Sequence, residues 1–479
     1  MIPAVGWKAM EKKDPFVLRH LAEVQPELWW LDSDPLEPSS HPALIGDIGA
    51  DLCVIGAGYT GLWTALLAKE RDPLREVVVI EQFETGAGAS GRNGGFCSAS
   101  LTHGFNNGMR RFRSEMRTIE RLGRENLDAI EATVRRYGIE CDWERVGELR
   151  VAVAPWQFSA MAEEARLRNE MGDHVEVLSR EEVQARVHSP SYEGALFDHD
   201  GTALVDPARL VWGLERACLS LGVRIYENSK VEWLEDVDDA VRVHTPYGAV
   251  TAARVALATN VFAPLVRKAR KYVVPVFDYV LVTEPLTDEQ MASIGWRGRE
   301  GIADAGNQFH YYRLTNDNSI LWGGYDAVYT FRGKAKREYE FNAQTYATLA
   351  SHFLKTFPQL QGIKFTHAWG GAIDTCTRFS PFWDRAFGGK VAYVLGFTGL
   401  GVASTRFGAS VMLDLLDDVD SEATRLAMVR RRPLPFPPEP FKWFFIRVTQ
   451  WSIRRADERN GRRNLWLKLL DAFGLGFDS

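Results

Sequence analysis

The fold class this sequence predicts is α/β: a doubly wound parallel sheet joined to a second, α+β unit with a mostly antiparallel sheet. Three observations carry that expectation. A strand, glycine turn, helix and second strand open at Asp51. Apolar strands that end in small polar turns return at 254–260 and 391–401. Alternating segments at 272–283 and 309–323 have the period of antiparallel sheet.

The first unit reads Asp51-Leu-Cys-Val-Ile-Gly-Ala-Gly-Tyr-Thr-Gly61 and closes on Val-Val-Val-Ile-Glu81. Each glycine has a physical task in holding a dinucleotide. Gly56 permits a turn that a Cβ would block. Gly58 lets the backbone approach a pyrophosphate, and Gly61 lets the helix pack closely on its strand. The helix opening at Tyr59 and Thr60 directs free N–H groups and a partial positive charge at phosphates. Glu81, followed by Gln82 at the tip of the second strand, is placed to accept hydrogen bonds from ribose hydroxyls, and its charge disfavours a 2′-phosphate and therefore NADP. The unit predicts a Rossmann-like dinucleotide site.

The 479 residues are 46% hydrophobic and 25% charged, an ordinary globular composition. A net charge of -6 gives no reason to expect nucleic acid. The five cysteines, Cys53, Cys97, Cys141, Cys218 and Cys376, have no metal-type spacing and suggest no disulfide framework, which fits a reducing cytoplasm and no bound metal. Lys8, Glu11, Lys12 and Lys13 precede no apolar core of a signal peptide. No window approaches the roughly 20 apolar residues of a membrane helix.

Along the chain, residues 1–50 read as an N-terminal arm, pinned by Trp29 and Trp30 ahead of a proline- and serine-rich run ending near Pro42. Beyond the nucleotide unit lies the glycine-rich loop 85–95, then a charged helical stretch over 107–137. A strand follows at 148–153 and amphipathic helices at 157–171 and 206–221. Strands are expected at 223–226, 231–233 and 241–244, and a last helix over 403–416. From Arg430 the composition changes to prolines, aromatics and arginines. Two readings fit this tail. It is an interfacial helix with aromatics toward lipid and arginines at headgroups, or a helix docked on the body with its arginines paired to acidic groups; docking is the expectation.

Three further segments narrow the dinucleotide to a flavin. Ser90, Arg92, Asn93, Gly94 and Gly95 form a loop that can pass close to a flat ring. Val231 and Thr259 lie where the chain returns toward a nucleotide. Gly396, Thr398, Gly399, Leu400, Gly401 and Val402 make a second strand–turn–helix, whose N-terminus suits negative charge at the N1–C2=O side of a reduced flavin.

With these segments the chain resembles the D-amino-acid-oxidase/glycine-oxidase family of FAD-dependent oxidoreductases. The stretch Gly88-Ala-Ser-Gly-Arg-Asn-Gly-Gly95 is most similar to γ-glutamylputrescine-oxidase-type members. The resemblance spans about 51–416 and includes Tyr311-Tyr-Arg313, Leu321-Trp-Gly-Gly-Tyr325 and Trp369-Gly-Gly371. It implies non-covalent FAD in a domain assembled from 51–110, 190–265 and 365–420. A substrate domain would comprise 111–189 and 266–364, with 430–479 as a basic aromatic extension. It also implies oxidation of a primary or secondary amine by hydride transfer to flavin N5, imine hydrolysis and reoxidation by O2 to hydrogen peroxide. The alternative is a dehydrogenase passing electrons to a quinone or protein acceptor. A flavin-binding protein without catalysis is a third reading. A flavin hydroxylase is disfavoured, because neither a Gly-Asp-Ala-type turn nor a second complete Gly-x-Gly-x-x-Gly unit follows the first.

The resemblance names Arg313 as the first candidate for holding a substrate carboxylate, a bidentate contact worth about 1.5–3 kcal/mol; the alternative is an arginine tying strands together. Alternation puts Tyr311 on the same side and His310 on the other. Trp369 is expected at the flavin or pocket wall, and Tyr279 and Trp322 as pocket aromatics. Cys97 follows the flavin loop and is expected as a small buried residue, not a flavin attachment. Some sarcosine oxidases carry a lysine over N5; none occurs here between Arg313 and Arg332, which weakens the inference of an oxidase.

Overall fold

The computed structural model describes residues 15–32, 39–262, 264–473 and 475. The N-terminal charged residues and much of the proline- and serine-rich run lie outside them. Two eight-stranded sheets organise the chain. In the first, Gly46–Ile55 is central and parallel to Val77–Ile80 and to Gly248–Leu257. Arg224–Tyr226 extends one side in parallel, and Val391–Leu395 the other. The antiparallel strand Phe382–Ala386 and the meander Trp233–Val237, Ala240–Thr245 complete the sheet. Strands buried on both faces read as continuous apolar runs, as Val77–Ile80 does.

Helices Tyr59–Arg71, Pro207–Ser220 and Gly401–Leu416 pack together over one face of this sheet. Every residue from Tyr59 to Ala68 is buried, which explains why the sequence there is apolar all round and not striped. Asp206 caps the second helix by accepting the N–H of Arg209, with Pro207 in the first turn.

The second sheet runs Phe365–Cys376, Val273–Thr283, Ile320–Gly324, His310–Leu314, Gly301–Asp304, Glu148–Ala152, Gly194–Asp198, Val175–Leu178. All its pairings are antiparallel except Gly301–Asp304 with Glu148–Ala152. Helix Ala343–Thr356, capped by Asn342, packs on its back face. The front face looks toward the parallel sheet.

Several boundaries differ from the sequence reading. The arm contributes the start of the central strand, whose first residues, Gly46 to Ala50, are largely exposed and give no apolar signal. The strand expected at 231–233 begins at Trp233 and continues to Val237. The helical stretch is broken by a 3₁₀ turn, Arg113–Glu115, between Phe105–Phe112 and Met116–Arg136. Gly194–Asp198 and Phe365–Cys376, grouped above with the nucleotide-binding segments, carry strands of the second sheet.

Candidate active site

A cavity of about 1720 Å³ separates the two sheets. It opens at the C-terminal ends of the parallel strands, the place where open α/β sheets bind ligands. Of the twenty positions expected at a cofactor, all but Gly61, Gly95 and Gly396 line it.

The glycines form a cradle that larger residues would fill. Gly56 has φ +109°, and a Cβ there would lie 2.6 Å from the Ala258 carbonyl oxygen. A Cβ on Gly61 would fall 1.8 Å from the Gly56 carbonyl oxygen, so this glycine works behind the cavity wall, in helix–turn packing. Neither helix Tyr59–Arg71 nor helix Gly401–Leu416 has a side-chain N-cap, and both N-termini line the cavity. Two such helix ends on one cavity, the first with only its Tyr59 N–H taken up by Ser90, are suited to a ligand with negative charge at two places. The donor set therefore fits FAD, whose pyrophosphate one helix end would face and whose ring edge the other would face.

Glu81 lines the cavity, and its carboxylate accepts the N–H groups of Ala57 at 2.8 Å and Phe83 at 3.0 Å. It pins the glycine turn and keeps acceptor capacity for ribose hydroxyls. Burial pushes its carboxyl above the usual range, against the pull of these amides. Ser90 Oγ accepts the Tyr59 N–H, and Asn93 bridges the loop through Ala89, Ser90 and Gly95. Arg92 pairs with Glu340 at 2.9 Å and donates to the Ala87 carbonyl.

The second sheet presents one parity of its strands to the cavity. Opposite residues in an antiparallel pair share a face. Asp278 faces Gly371, Val280 faces Trp369 and Gly323, and Gly323 faces Tyr311. Trp369 lines the cavity, and its indole N–H donates to the Arg92 carbonyl at 2.8 Å, linking the second sheet to the glycine-rich loop. Tyr311 lies in a slot: a Cβ on Gly94 or on Gly323 would come within 2.6 Å of its ring. Its hydroxyl donates to Asp278 Oδ2 at 2.6 Å. Asp278 is half-buried, and it lines the cavity. Desolvation pushes its carboxyl up to about 6, against the lowering effect of the Tyr311 hydrogen bond.

Parity corrects two expectations, and position along the strand a third. Tyr279 and Trp322 lie on the back face, packed with Tyr346 and with Tyr312 and Phe353, and neither lines the cavity. Tyr279 donates its hydroxyl to the Tyr339 carbonyl. Arg313 shares the face of Tyr311 but sits two residues further along, past the end of the cavity. It is 1% exposed and donates to the carbonyls of Val205 at 2.7 Å and Leu314 at 3.1 Å. This arginine ties strands together. His310 points to the back, held by Asp304 at 2.7 Å and by His352 at 3.0 Å. Cys97 is buried opposite Ala203 and is absent from the cavity wall.

Asp278, Asp374 and His103 are among the cavity residues that escaped the sequence reading. Asp278 carried a signal, as the lone carboxylate within the apolar strand Val273–Thr283. Asp374 gave less: it accepts the Gly396 N–H and its carbonyl accepts the Thr398 N–H, holding a turn in which Thr398 has φ 51°. Burial raises its carboxyl to about 7. His103, with φ 56°, is held neutral by burial, which lowers it to about 4.

The chain matches the family model described as FAD dependent oxidoreductase (DAO) over residues 51–415. It is 32% identical over 398 residues to the gamma-glutamylputrescine oxidoreductase of Escherichia coli strain K12, covering 81% of this chain and 88% of that protein. It is 28% identical over 379 residues to the probable oxidoreductase OrdL of Haemophilus influenzae, covering 77% and 83%. Glycine oxidase from Geobacillus kaustophilus shares the fold with a TM-score of 0.65 at 16% identity, over 80% of this chain and 99% of that one. The chain is an FAD-dependent oxidoreductase of the DAO family.

Proposed function

We propose that this protein oxidises a primary or secondary amine, with the parallel-sheet unit holding FAD non-covalently and the second sheet holding the substrate. The observation that carries the reading is the Asp278–Tyr311 pair: a carboxylate on the cavity wall opposite the cofactor cradle, in a strand otherwise apolar. A desolvated carboxylate is matched to a cationic amine, pairing with the ammonium and, at a raised pKa, accepting its proton. Tyr311, fixed between Gly94 and Gly323, holds that carboxylate in place. Trp369 forms the adjoining wall. FAD, held by the glycine cradle and the two helix ends, would supply a two-electron acceptor for the hydride on the carbon bearing the nitrogen, with oxygen as final oxidant reduced to hydrogen peroxide. Water then adds to the imine, releasing a carbonyl compound and an amine or ammonia. The printed name of the Escherichia coli relative makes γ-glutamyl-amines and polyamines the first substrates to try.

The five cysteines are free and buried, which supports a reducing, cytoplasmic setting. A dehydrogenase is the second reading, favoured by the absence of a lysine between Arg313 and Arg332. The test is steady-state turnover of polyamines, γ-glutamyl-amines and amino acids in air, with peroxide measured against reduction of an added quinone. Peroxide in step with amine consumption supports the oxidase. Turnover only with the quinone supports the dehydrogenase. No turnover of any amine under either condition would sink the proposal.

A further inference from the structure

Helix Phe441–Asp457 has two faces with different tasks. At about 100° per residue, Phe445, Thr449 and Ile453 fall on the inner arc and line the mouth of the cavity. Asp457 anchors this face by accepting the backbone N–H groups of Asn307 and Gln308 at 3.2 and 3.1 Å. The opposite arc carries Phe444 and Trp451, which are 61% and 56% exposed, and Phe441, in the first turn at the edge between the two arcs, is 69% exposed. The following helix, Leu465–Ala472, adds Leu465 at 86% exposure. Seven of the nineteen exposed large hydrophobics among the described residues fall within 441–473.

The charge of this segment is opposite to that of the chain. Residues 441–473 hold eight Lys and Arg against three Asp and Glu, a net of +5, whereas the whole chain carries -6. Two arginines sit beside the exposed rings: Arg447 lies 5.8 Å from the Trp443 ring centre and Arg455 5.4 Å from that of Trp451. Apolar rings flanked by guanidinium groups on one helical arc match a surface with a hydrocarbon layer below and anionic groups above. A second copy of this chain, with its net negative charge, offers the charge but no hydrocarbon.

We propose that the outer face of helix Phe441–Asp457 docks on an anionic lipid bilayer, bringing the cavity mouth to the membrane surface. Among the described residues no helix is long and apolar enough to cross a membrane, so the contact is peripheral. This docking is independent of which amine is oxidised.

The test is co-sedimentation of the FAD-loaded full chain with phosphatidylcholine vesicles, with and without phosphatidylglycerol. Binding is expected to the anionic vesicles, to weaken in high salt, and to be lost in Phe441→Glu/Phe444→Glu/Trp451→Glu. Each basic residue near such a surface contributes roughly fivefold in partitioning, so Arg447→Glu/Arg455→Glu should weaken binding by at least about 25-fold. Retained flavin absorption reports that the variants fold, and Tyr247→Glu, an exposed aromatic away from the cavity, should bind as the wild type does. Absence of binding to anionic vesicles overturns the proposal, as does binding that survives the triple change. A wild-type dimer that becomes a monomer in the triple variant overturns it in favour of a second copy on this face.

Discussion

Replacing Asp278 by asparagine separates what this side chain does for catalysis from what it costs the fold. Asn keeps the shape and an acceptor for the Tyr311 hydroxyl but removes the charge. Burial raises the carboxyl from 3.8 to about 6. At about 1.36 kcal/mol per unit, holding it ionised costs the folded state up to about 3 kcal/mol, an upper bound because part of the side chain meets the cavity. The sign follows from linkage. A folded-state pKa above the unfolded value means that the native state binds the proton more tightly. That stabilisation is complete below about pH 3.8 and is lost as pH rises through about 6. Asp278→Asn should therefore be the more stable protein at pH 8, by up to about 3 kcal/mol, with the difference vanishing at acid pH. Its kcat/KM for the amine should fall by roughly 10- to 150-fold, the loss of a charged hydrogen bond worth about 1.5–3 kcal/mol. Denaturant melts at pH 5 and pH 8, together with steady-state kinetics, measure both. Wild-type kcat/KM should also decline below about pH 6 as the carboxyl takes up its proton, a limb missing from the variant. An asparagine variant with full activity, or one less stable than wild type at pH 8, refutes this reasoning.

Tyr311→Phe removes the donor that favours the ionised carboxylate, so the acid limb of the wild-type pH profile should move to higher pH, read from kcat/KM across pH 5–8. Gly94→Ala puts a Cβ 2.6 Å from the Tyr311 ring; overpacking of about 1–3 kcal/mol should lower both thermal stability and turnover. Gly61→Ala drives a Cβ into the Gly56 carbonyl, and the purified variant should lack flavin absorption and fail to regain it with added FAD. Arg313→Met should lower stability by on the order of 3 kcal/mol through the buried carbonyls of Val205 and Leu314, without raising the substrate KM. A raised KM with unchanged stability would restore Arg313 to the substrate.

The nucleotide unit was legible because its constraints are local. A turn, a helix start and a strand tip lie within 51–81, and each needs a residue type that sequence displays directly. The substrate wall was legible only in part. Trp369 and Tyr311 line the cavity, whereas Tyr279, Trp322 and Arg313 do not. Which face of a strand meets a cavity is set by register with its neighbours. Pairing of Val280 with Gly323 and Trp369 fixes Asp278, and not Tyr279, on the front. Arg313 shows a second limit: it has the right face, but distance along the strand carries it beneath Gly95 and Val205. The tail docks on the body through Asp457, which accepts the N–H groups of Asn307 and Gln308, while Phe444 and Trp451 of the same helix stay exposed.

The most direct test of the central claim is an anaerobic titration of the FAD-loaded protein with polyamines, γ-glutamyl-amines and amino acids, followed by flavin absorption. Bleaching by at least one amine, with Asp278→Asn needing a much higher concentration for the same effect, is the result expected here. A flavin that no amine bleaches, in a protein that binds FAD and is properly folded, would contradict the assignment of this cavity to amine oxidation.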